Sequence, residues 1–181
     1  KPGDYLTAAQ PMKRELRANL FHKTCDDYDI ENAFPCILQG VLEMFRIDPT
    51  CYACLARLRT DREDVYEEIM NQNVGWDREK AKRRCLAILF KDPEKKWKLK
   101  SDFEKKFQDE MKEVAEMVLE KEADDWVARS RNKHVGAGLA VFLQTQCAIV
   151  LNTFVREFRT KNISVQSLII DGCLIEKNSI T

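Results

Sequence analysis

The sequence predicts an α+β fold, in which a small antiparallel sheet carries a large, mostly helical insertion. A short strand-like run, 26–31, lies near the start of the chain. Near the end, Asp171-Gly172 stands between two apolar runs, and this dipeptide is a strong signal for a two-residue hairpin turn. Between these ends, residues 51–133 show almost uninterrupted helical periodicity. Strands at both ends and helices between them are typical of an α+β plan.

The first 50 residues predict a short helix, a strand and a second helix. A helix is predicted within 8–20 and a strand over 26–31. A second helix is predicted to begin at Pro35. Proline suits the first turn of a helix because its missing N–H would have no intrahelical partner there. Apolar residues then recur at spacings of three and four, which predicts an amphipathic helix to about Arg46. They are Ile37, Leu38, Val41, Leu42 and Phe45.

The middle of the chain predicts a bundle of helices. Three are expected near 50–60, 61–72 and 77–90, separated by polar turns and one glycine-containing turn. After a basic loop, a longer amphipathic helix is predicted from Phe103 towards Trp126. Its outer face alternates acidic and basic residues, which favours an exposed helix surface.

The last part of the chain predicts a long helix followed by a hairpin. The helix is expected over 138–160, and the strands of the hairpin over 165–170 and 173–176. We therefore divide the chain into an N-terminal part of the sheet region, a helical insertion, and a C-terminal helix with its hairpin. The three segments are 1–50, 51–134 and 135–181.

The composition indicates the environment of the protein more clearly than its function. Lysine plus arginine and aspartate plus glutamate number 30 each, so no overall field draws the molecule towards nucleic acid. Seven scattered cysteines predict a reducing, intracellular setting, in the nucleus or the cytoplasm. No apolar run is expected to reach the roughly 20 residues of a membrane span, so no membrane partner is predicted. Because the first residue is Lys1, we expect a fragment of a longer polypeptide.

Asp29 and Asp171 are the first candidate site residues. If the first strand pairs with the hairpin, the two aspartates become neighbours although they are far apart in sequence. Two carboxylates at one end of a sheet supply the hard oxygen ligands that Mg²⁺ prefers. Two-metal phosphoryl transfer requires such an arrangement. The alternative is that Asp171-Gly172 is only a turn and Asp29 only a solvated strand end.

The helix 77–90 and the loop after it form the second candidate site. Arg78 and Lys82 lie one turn apart, and residues 78–106 hold 12 lysines and arginines against five acidic residues. Cations on a helix can hold a triphosphate. Trp97 among the lysines of the loop is compatible with nucleic-acid stacking or with a core anchor. A solvated basic face remains the alternative for the helix.

Histidine and cysteine residues near the start leave a zinc module open as a third possibility. Cys51 and Cys54 form a single CxxC pair, and His22 and Cys25 precede it. Zinc sites of this kind normally need four such ligands. The chain contains neither a Walker A loop nor a GxSxG motif.

Three motifs together resemble the palm and fingers of family A-like DNA polymerases. YDIENAFPCIL, residues 28–38, resembles motif A of family A and family B enzymes. The arginine and lysine at 78 and 82, followed by Phe90, are similar to the family A fingers helix. Residues 136–176 resemble the stretch that runs from a long helix into motif C. The most similar pattern is that of divergent polymerases of transposons and of large DNA viruses and their satellites.

The resemblance implies a nucleotidyl transfer reaction with two Mg²⁺ ions. Asp29 and Asp171 match the metal-binding, catalytic aspartates of motifs A and C. Arg78 and Lys82 match the residues that grip the phosphates of the incoming nucleotide. Phe34 falls at the position of the steric gate that senses the ribose.

The remaining matches concern the base and the DNA. Leu86 and Phe90 fall at base-stacking positions of the fingers helix. Gln144, at a polar position of the long helix, is expected to face the DNA minor groove, and Lys98 is expected to contact DNA. The implied partners are primer–template DNA, a dNTP and other replication proteins or further domains of the same polypeptide.

Two departures from the family pattern bear on the expected activity. Family A has a second acidic residue after the motif C aspartate, and this chain has Gly172 there. It also has Lys91 where the fingers helix usually has glycine. The alternative function is therefore a catalytically inactive, polymerase-like helical module that binds or scaffolds within a replication protein.

Overall fold

A computed structural model describes residues 12–91, 98–169 and 171–178. The fold is α+β, as predicted, with three strands in one antiparallel sheet and with helices elsewhere in the described chain. The helices are α1 (Arg14–Phe21), α2 (Ala33–Met44), α3 (Ala53–Thr60), α4 (Arg62–Gln72), α5 (Arg78–Leu89), α6 (Asp102–Lys121), α7 (Trp126–Arg129) and α8 (Val135–Thr160). The strands are β1 (Cys25–Asp29), β2 (Val165–Ile169) and β3 (Gly172–Glu176).

The chain divides into two compact units. Unit 1 comprises residues 1–33 and 144–181, and unit 2 comprises residues 34–143. Unit 1 therefore joins the two ends of the sequence, and unit 2 contains the predicted helical insertion with nearly all of α2 and the first part of α8. The three segments predicted from the sequence divide the chain at other residues and remain a prediction.

Unit 1 contains the sheet, in the order β1-β3-β2. The central strand β3 pairs antiparallel with both neighbours, and Cys25 pairs with Glu176 at one end of the β1–β3 ladder. A small apolar cluster of Cys25, Ile169 and Leu174 packs against Phe21 of α1. β1 is otherwise exposed and carries three aspartates, which is one way in which edge strands avoid pairing with other chains.

Unit 2 is built entirely from helices in its described part, and its core is aliphatic and aromatic. Its largest fully buried side chains include Leu38, Leu42, Ile69, Ile88, Phe107 and Phe142. The helix α6 begins with a complete capping box, in which Ser101 and Glu104 satisfy each other's backbone N–H groups. Glu110, in the middle of α6, accepts hydrogen bonds from the N–H groups of Cys54 and Leu55 in the first turn of α3, at 3.0 and 3.1 Å. Long-range caps of this kind fix the packing of the helices.

One helix and one strand end earlier than predicted. The long helix expected to continue towards Trp126 ends at Lys121, because Asp125 caps a new helix by accepting a hydrogen bond from Ala128 N at 2.8 Å. The predicted strand over 26–31 ends instead at Asp29. Asn32 follows it with φ at 51°, a left-handed conformation that redirects the chain into α2.

The helix α8 has the length and composition of a membrane span. It has 26 residues, and its most apolar 18-residue window has a mean hydropathy of 1.5. The expectation that no membrane partner is involved remains a prediction. Long core helices of soluble proteins have the same properties, and 39% of that window is buried inside the protein.

Candidate active site

Asp29 and Asp171 lie at the same end of the sheet in unit 1. Asp29 is the last residue of β1, and it pairs with Gly172, the first residue of β3. The backbone N–H of the following residue, Ile30, donates a hydrogen bond to the carbonyl oxygen of Asp171 at 2.8 Å. The predicted pairing of the first strand with the hairpin is therefore present, and it brings the two aspartates to neighbouring backbone positions.

Gly172 provides the space for the Asp29 side chain. A Cβ atom added to Gly172 would lie 2.3 Å from Asp29 Oδ1 and 2.4 Å from the carbonyl oxygen of Tyr28. Real Cβ atoms do not approach other heavy atoms so closely, so only glycine fits here. The absence of the second acidic residue expected after Asp171 thus has a steric reason within this chain, because any side chain at 172 would displace Asp29.

Burial and nearby aspartates raise the pKa values of two buried thiols in unit 1. Burial raises the pKa of the Cys147 thiol, and the carboxylate of Asp171 raises it further. The pKa of the Cys173 thiol is likewise raised by burial first, and then by Asp27 and Asp29. Asp29 itself is exposed at the end of β1, and Asp171 is half-buried.

The two carboxylates are chemically suited to Mg²⁺. This ion is usually bound through one or two carboxylates, with waters and substrate phosphates as the other ligands. In the described residues 12–91, 98–169 and 171–178, no group of three or more histidine, cysteine or acidic side chains could hold a metal ion.

The guanidinium of Arg78 is held by α4 in unit 2. It donates to Glu63 from Nε at 2.7 Å and from Nη2 at 2.5 Å, and it lies 5.3 Å from the ring centroid of Tyr66. Hydrogen bonding to Arg78 lowers the pKa of the Glu63 carboxyl to about 2. Arg78 is therefore fully charged and well oriented, and a protein carboxylate occupies two of its donors.

The other residues predicted to contact the nucleotide lie along α5 and at the start of α2. Lys82 is exposed, and Leu86 and Phe90 are half-buried. Phe34 meets Phe90 edge to face, with the ring centroids 5.3 Å apart. Positions 78, 82, 86 and 90 recur at i, i+4, i+8 and i+12, so one stripe of the helix changes from cationic to apolar along its length.

The two residues predicted to contact DNA are exposed. Gln144 lies on α8 in unit 1. Lys98 belongs to unit 2, and its backbone carbonyl accepts a hydrogen bond from Arg84 Nη2 at 2.9 Å. Trp97, the aromatic residue of the same basic loop, lies outside the described residues.

Several polar residues that fix the helices around α5 carried no signal in the sequence. Arg84 forms an ion pair with the buried Glu104, with Nε 2.6 Å from Oε1. Lys91, at the unusual position after Phe90, is buried and donates to Gln108 Oε1. The Ser101 to Glu104 spacing is a capping-box signature and could have identified Glu104 from the sequence. The partners of Arg84 and Lys91 lie too far along the chain for a periodic pattern to show them.

The zinc-module alternative gains no support. Burial, with a smaller contribution from Glu110, raises the pKa of the Cys54 thiol to about 12, which opposes the thiolate form that zinc binds. His22 Nδ1 lies 3.1 Å from the carbonyl oxygen of Asn19, a contact within its own turn. Throughout the part of the chain that the structure describes, the four candidate ligands form no metal-binding group.

Comparison of the chain with protein-family models, with curated proteins and with solved structures finds no match in any of the three.

Proposed function

We propose that the protein is the palm-and-fingers part of a template-dependent DNA polymerase, closest to the divergent family A-like enzymes. It would catalyse attack of a primer 3′-hydroxyl on the α-phosphate of a dNTP, with release of pyrophosphate. The observation that supports this most is the pairing of Asp29 with the turn that carries Asp171. A strand end and a hairpin turn, far apart in the sequence, bring two carboxylates to one end of the sheet.

Asp29 and Asp171 would hold Mg²⁺ in this proposal. Bound Mg²⁺ would lower the pKa of the 3′-hydroxyl and neutralise charge that develops on the pyrophosphate. The role of the protein is to keep both carboxylates ionised and aimed at the phosphates. Gly172 serves this role because its missing side chain leaves the Asp29 carboxylate in place.

Residues of α5 and the start of α2 would contact the nucleotide. Arg78 and Lys82 are placed one turn apart and can contact successive phosphates of a triphosphate. Leu86 and Phe90 continue the same stripe with half-buried apolar surface, which suits a stacked base. Phe34, held against Phe90, would exclude a ribose 2′-hydroxyl.

The DNA would be contacted by exposed polar and basic side chains. Gln144 would face the minor groove, where its amide can donate to the base acceptors common to all pairs. Lys98 would contact the phosphate backbone, a contact that does not depend on sequence. Further domains or replication proteins would strengthen the binding to primer–template DNA.

Primer extension by the purified chain tests this proposal. Asp29→Asn and Asp171→Asn should each reduce extension by at least about 10²-fold, the usual cost of losing one electrostatic contact to a transition state. Asp26→Asn is the matched control, since Asp26 is an exposed residue of the same strand whose carboxylate lies 3.8 Å from Lys177 Nζ. Unchanged thermal unfolding of the variants separates loss of chemistry from loss of fold.

The opposite outcome would favour the non-catalytic alternative. If the unaltered chain neither extends a primer nor binds a dNTP, and both substitutions are silent, the polymerase proposal fails. A binding or scaffolding module that keeps the architecture without the reaction would then be the better account.

A further inference from the structure

We propose that Glu63 sets the affinity of the triphosphate site, because its carboxylate occupies the fork of Arg78 that a nucleotide phosphate would otherwise take. The inference rests on the function proposed above, in which Arg78 contacts the triphosphate. It adds a residue of α4 to that site as a competitor of the ligand. Binding of a nucleotide would then exchange one anionic partner of Arg78 for another.

The geometry of the ion pair makes Glu63 a direct competitor. Its two carboxylate oxygens accept from Arg78 Nε at 2.7 Å and from Nη2 at 2.5 Å, an arrangement with two parallel hydrogen bonds. Phosphate oxygens prefer the same two-pronged contact with arginine. A phosphate and Glu63 therefore cannot use this edge of the guanidinium together.

Exchange is favoured because both residues keep a partner after they separate. Glu63 Oε1 also lies 3.1 Å from Arg62 Nε, so the released carboxylate remains paired. Arg78 stays over the ring of the buried Tyr66, with its guanidinium carbon 5.3 Å from the centroid. Tyr66 would thus hold the guanidinium in position while its anionic partner changes.

The ion pair is also accessible and weak enough for a ligand to open. The side chains of Arg78 and Glu63 are 47% and 53% exposed. An exposed ion pair contributes little free energy, because water screens the two charges and both side chains lose conformational freedom when they pair. Glu63 remains ionised at neutral pH, so the competition operates under all ordinary conditions.

A second ion pair on the same helix provides a matched control. Glu68 of α4 accepts a hydrogen bond from Arg57 Nη1 at 2.8 Å, with side chains 33% and 41% exposed. Arg57 also lies over an aromatic ring, that of Phe103, at 5.6 Å. Glu68→Gln therefore removes the same charge from the same helix and frees an arginine that has no proposed role.

The test is the dissociation constant of dATP, measured calorimetrically with Mg²⁺ at low ionic strength. We expect Glu63→Gln to tighten binding by about two- to fivefold, the range that corresponds to a weak exposed pair. Arg78→Gln should weaken binding, and it should remove the gain when combined with Glu63→Gln. Glu68→Gln should change the constant by much less than Glu63→Gln does.

The possible failures are distinguishable. If Arg78→Gln weakens binding while Glu63→Gln is silent or matched by Glu68→Gln, Glu63 is not a competitor, and the proposed function still stands. If dATP binds but Arg78→Gln has no effect, both the competition and the phosphate role of Arg78 are wrong. If neither the unaltered chain nor Glu63→Gln binds dATP, the proposed function fails together with this inference.

Discussion

Gly172 faces Asp29 across the β1–β3 ladder, and the missing side chain of Gly172 is the space in which Asp29 Oδ1 lies. The polymerase resemblance predicts an acidic residue at 172, so glycine there first suggests a weakened metal site. The structure gives another explanation, in which the glycine is what allows Asp29 to reach its position. One carboxylate fewer than the family pattern is therefore compatible with an intact site.

Substitution of Gly172 should consequently destabilise the protein. We expect Gly172→Ala to lower the free energy of unfolding by about 1–3 kcal/mol, because the added methyl group meets the rigid carbonyl oxygen of Tyr28. Gly40→Ala is the control, since a Cβ there meets nothing within 4 Å on an exposed turn of α2, and it should stabilise by about 0.5–1 kcal/mol. Urea denaturation measures both changes.

Restoring the family residue provides a sharper version of the same prediction. Gly172→Asp should impair primer extension and stability together, because the new carboxylate would collide with Asp29 instead of joining it. Improved activity in Gly172→Asp would show that the site lacks a ligand and that the steric account is wrong.

The buried ion pair of Arg84 and Glu104 should make unit 2 sensitive to acid. Burial by itself raises the pKa of the Glu104 carboxyl, but hydrogen bonds from Ser101, Arg84 and Lys100 outweigh it and lower the pKa from its ordinary value of 4.5. A carboxyl with a lowered folded pKa stabilises the protein above the unfolded pKa and loses that contribution as the pH falls through the folded value. Stability should therefore decrease below about pH 4.5.

Glu104→Gln should remove this dependence at a large cost in stability. Breaking one side of a buried pair typically destabilises by about 3–5 kcal/mol, and here the substitution also weakens the hydrogen bonds that Glu104 accepts from the backbone N–H groups of Lys100 and Ser101. Asp102→Asn, which breaks an exposed pair with Lys105 at 3.1 Å in the same helix, should cost less than about 1 kcal/mol. Equal effects of the two substitutions in denaturation experiments at pH 7 would contradict the structural role of Glu104.

Thiol reactivity should follow burial. Cys51 is exposed, whereas Cys85 and Cys147 are buried, and burial, assisted by Glu104, raises the pKa of the Cys85 thiol to about 12. Because the thiolate is the reactive form, iodoacetamide at pH 8 should label Cys51 first and Cys85 only after unfolding. Mass spectrometry of labelled peptides gives the order, and labelling in denaturant provides the reference. Early modification of Cys85 would show that the helices around it open readily.

Local sequence signals predicted the main elements of the fold and the pairing that makes Asp29 and Asp171 backbone neighbours. The hairpin turn at Asp171-Gly172 and the strand before Asp29 each have a recognisable pattern, and their pairing follows from the small number of strands available. The partners of Arg78 and Arg84 could not be predicted in this way. Glu63 and Glu104 lie 15 and 20 residues from them, across turns whose geometry decides which side chains meet. The sequence shows that Gly172 departs from the family pattern. The steric need for glycine depends on the strand register that places it opposite Asp29, and this register is seen only in the folded chain.

The most direct test of the account is whether Asp29 and Asp171 form one divalent metal site. Mn²⁺ binding can be followed by electron paramagnetic resonance in the presence of primer–template DNA and a non-hydrolysable dNTP analogue. We predict that the unaltered chain binds Mn²⁺, that Asp29→Asn and Asp171→Asn each weaken binding by about tenfold or more, and that Asp26→Asn binds normally. Absence of Mn²⁺ binding by the unaltered chain, or equal weakening by Asp26→Asn, would contradict the central claim.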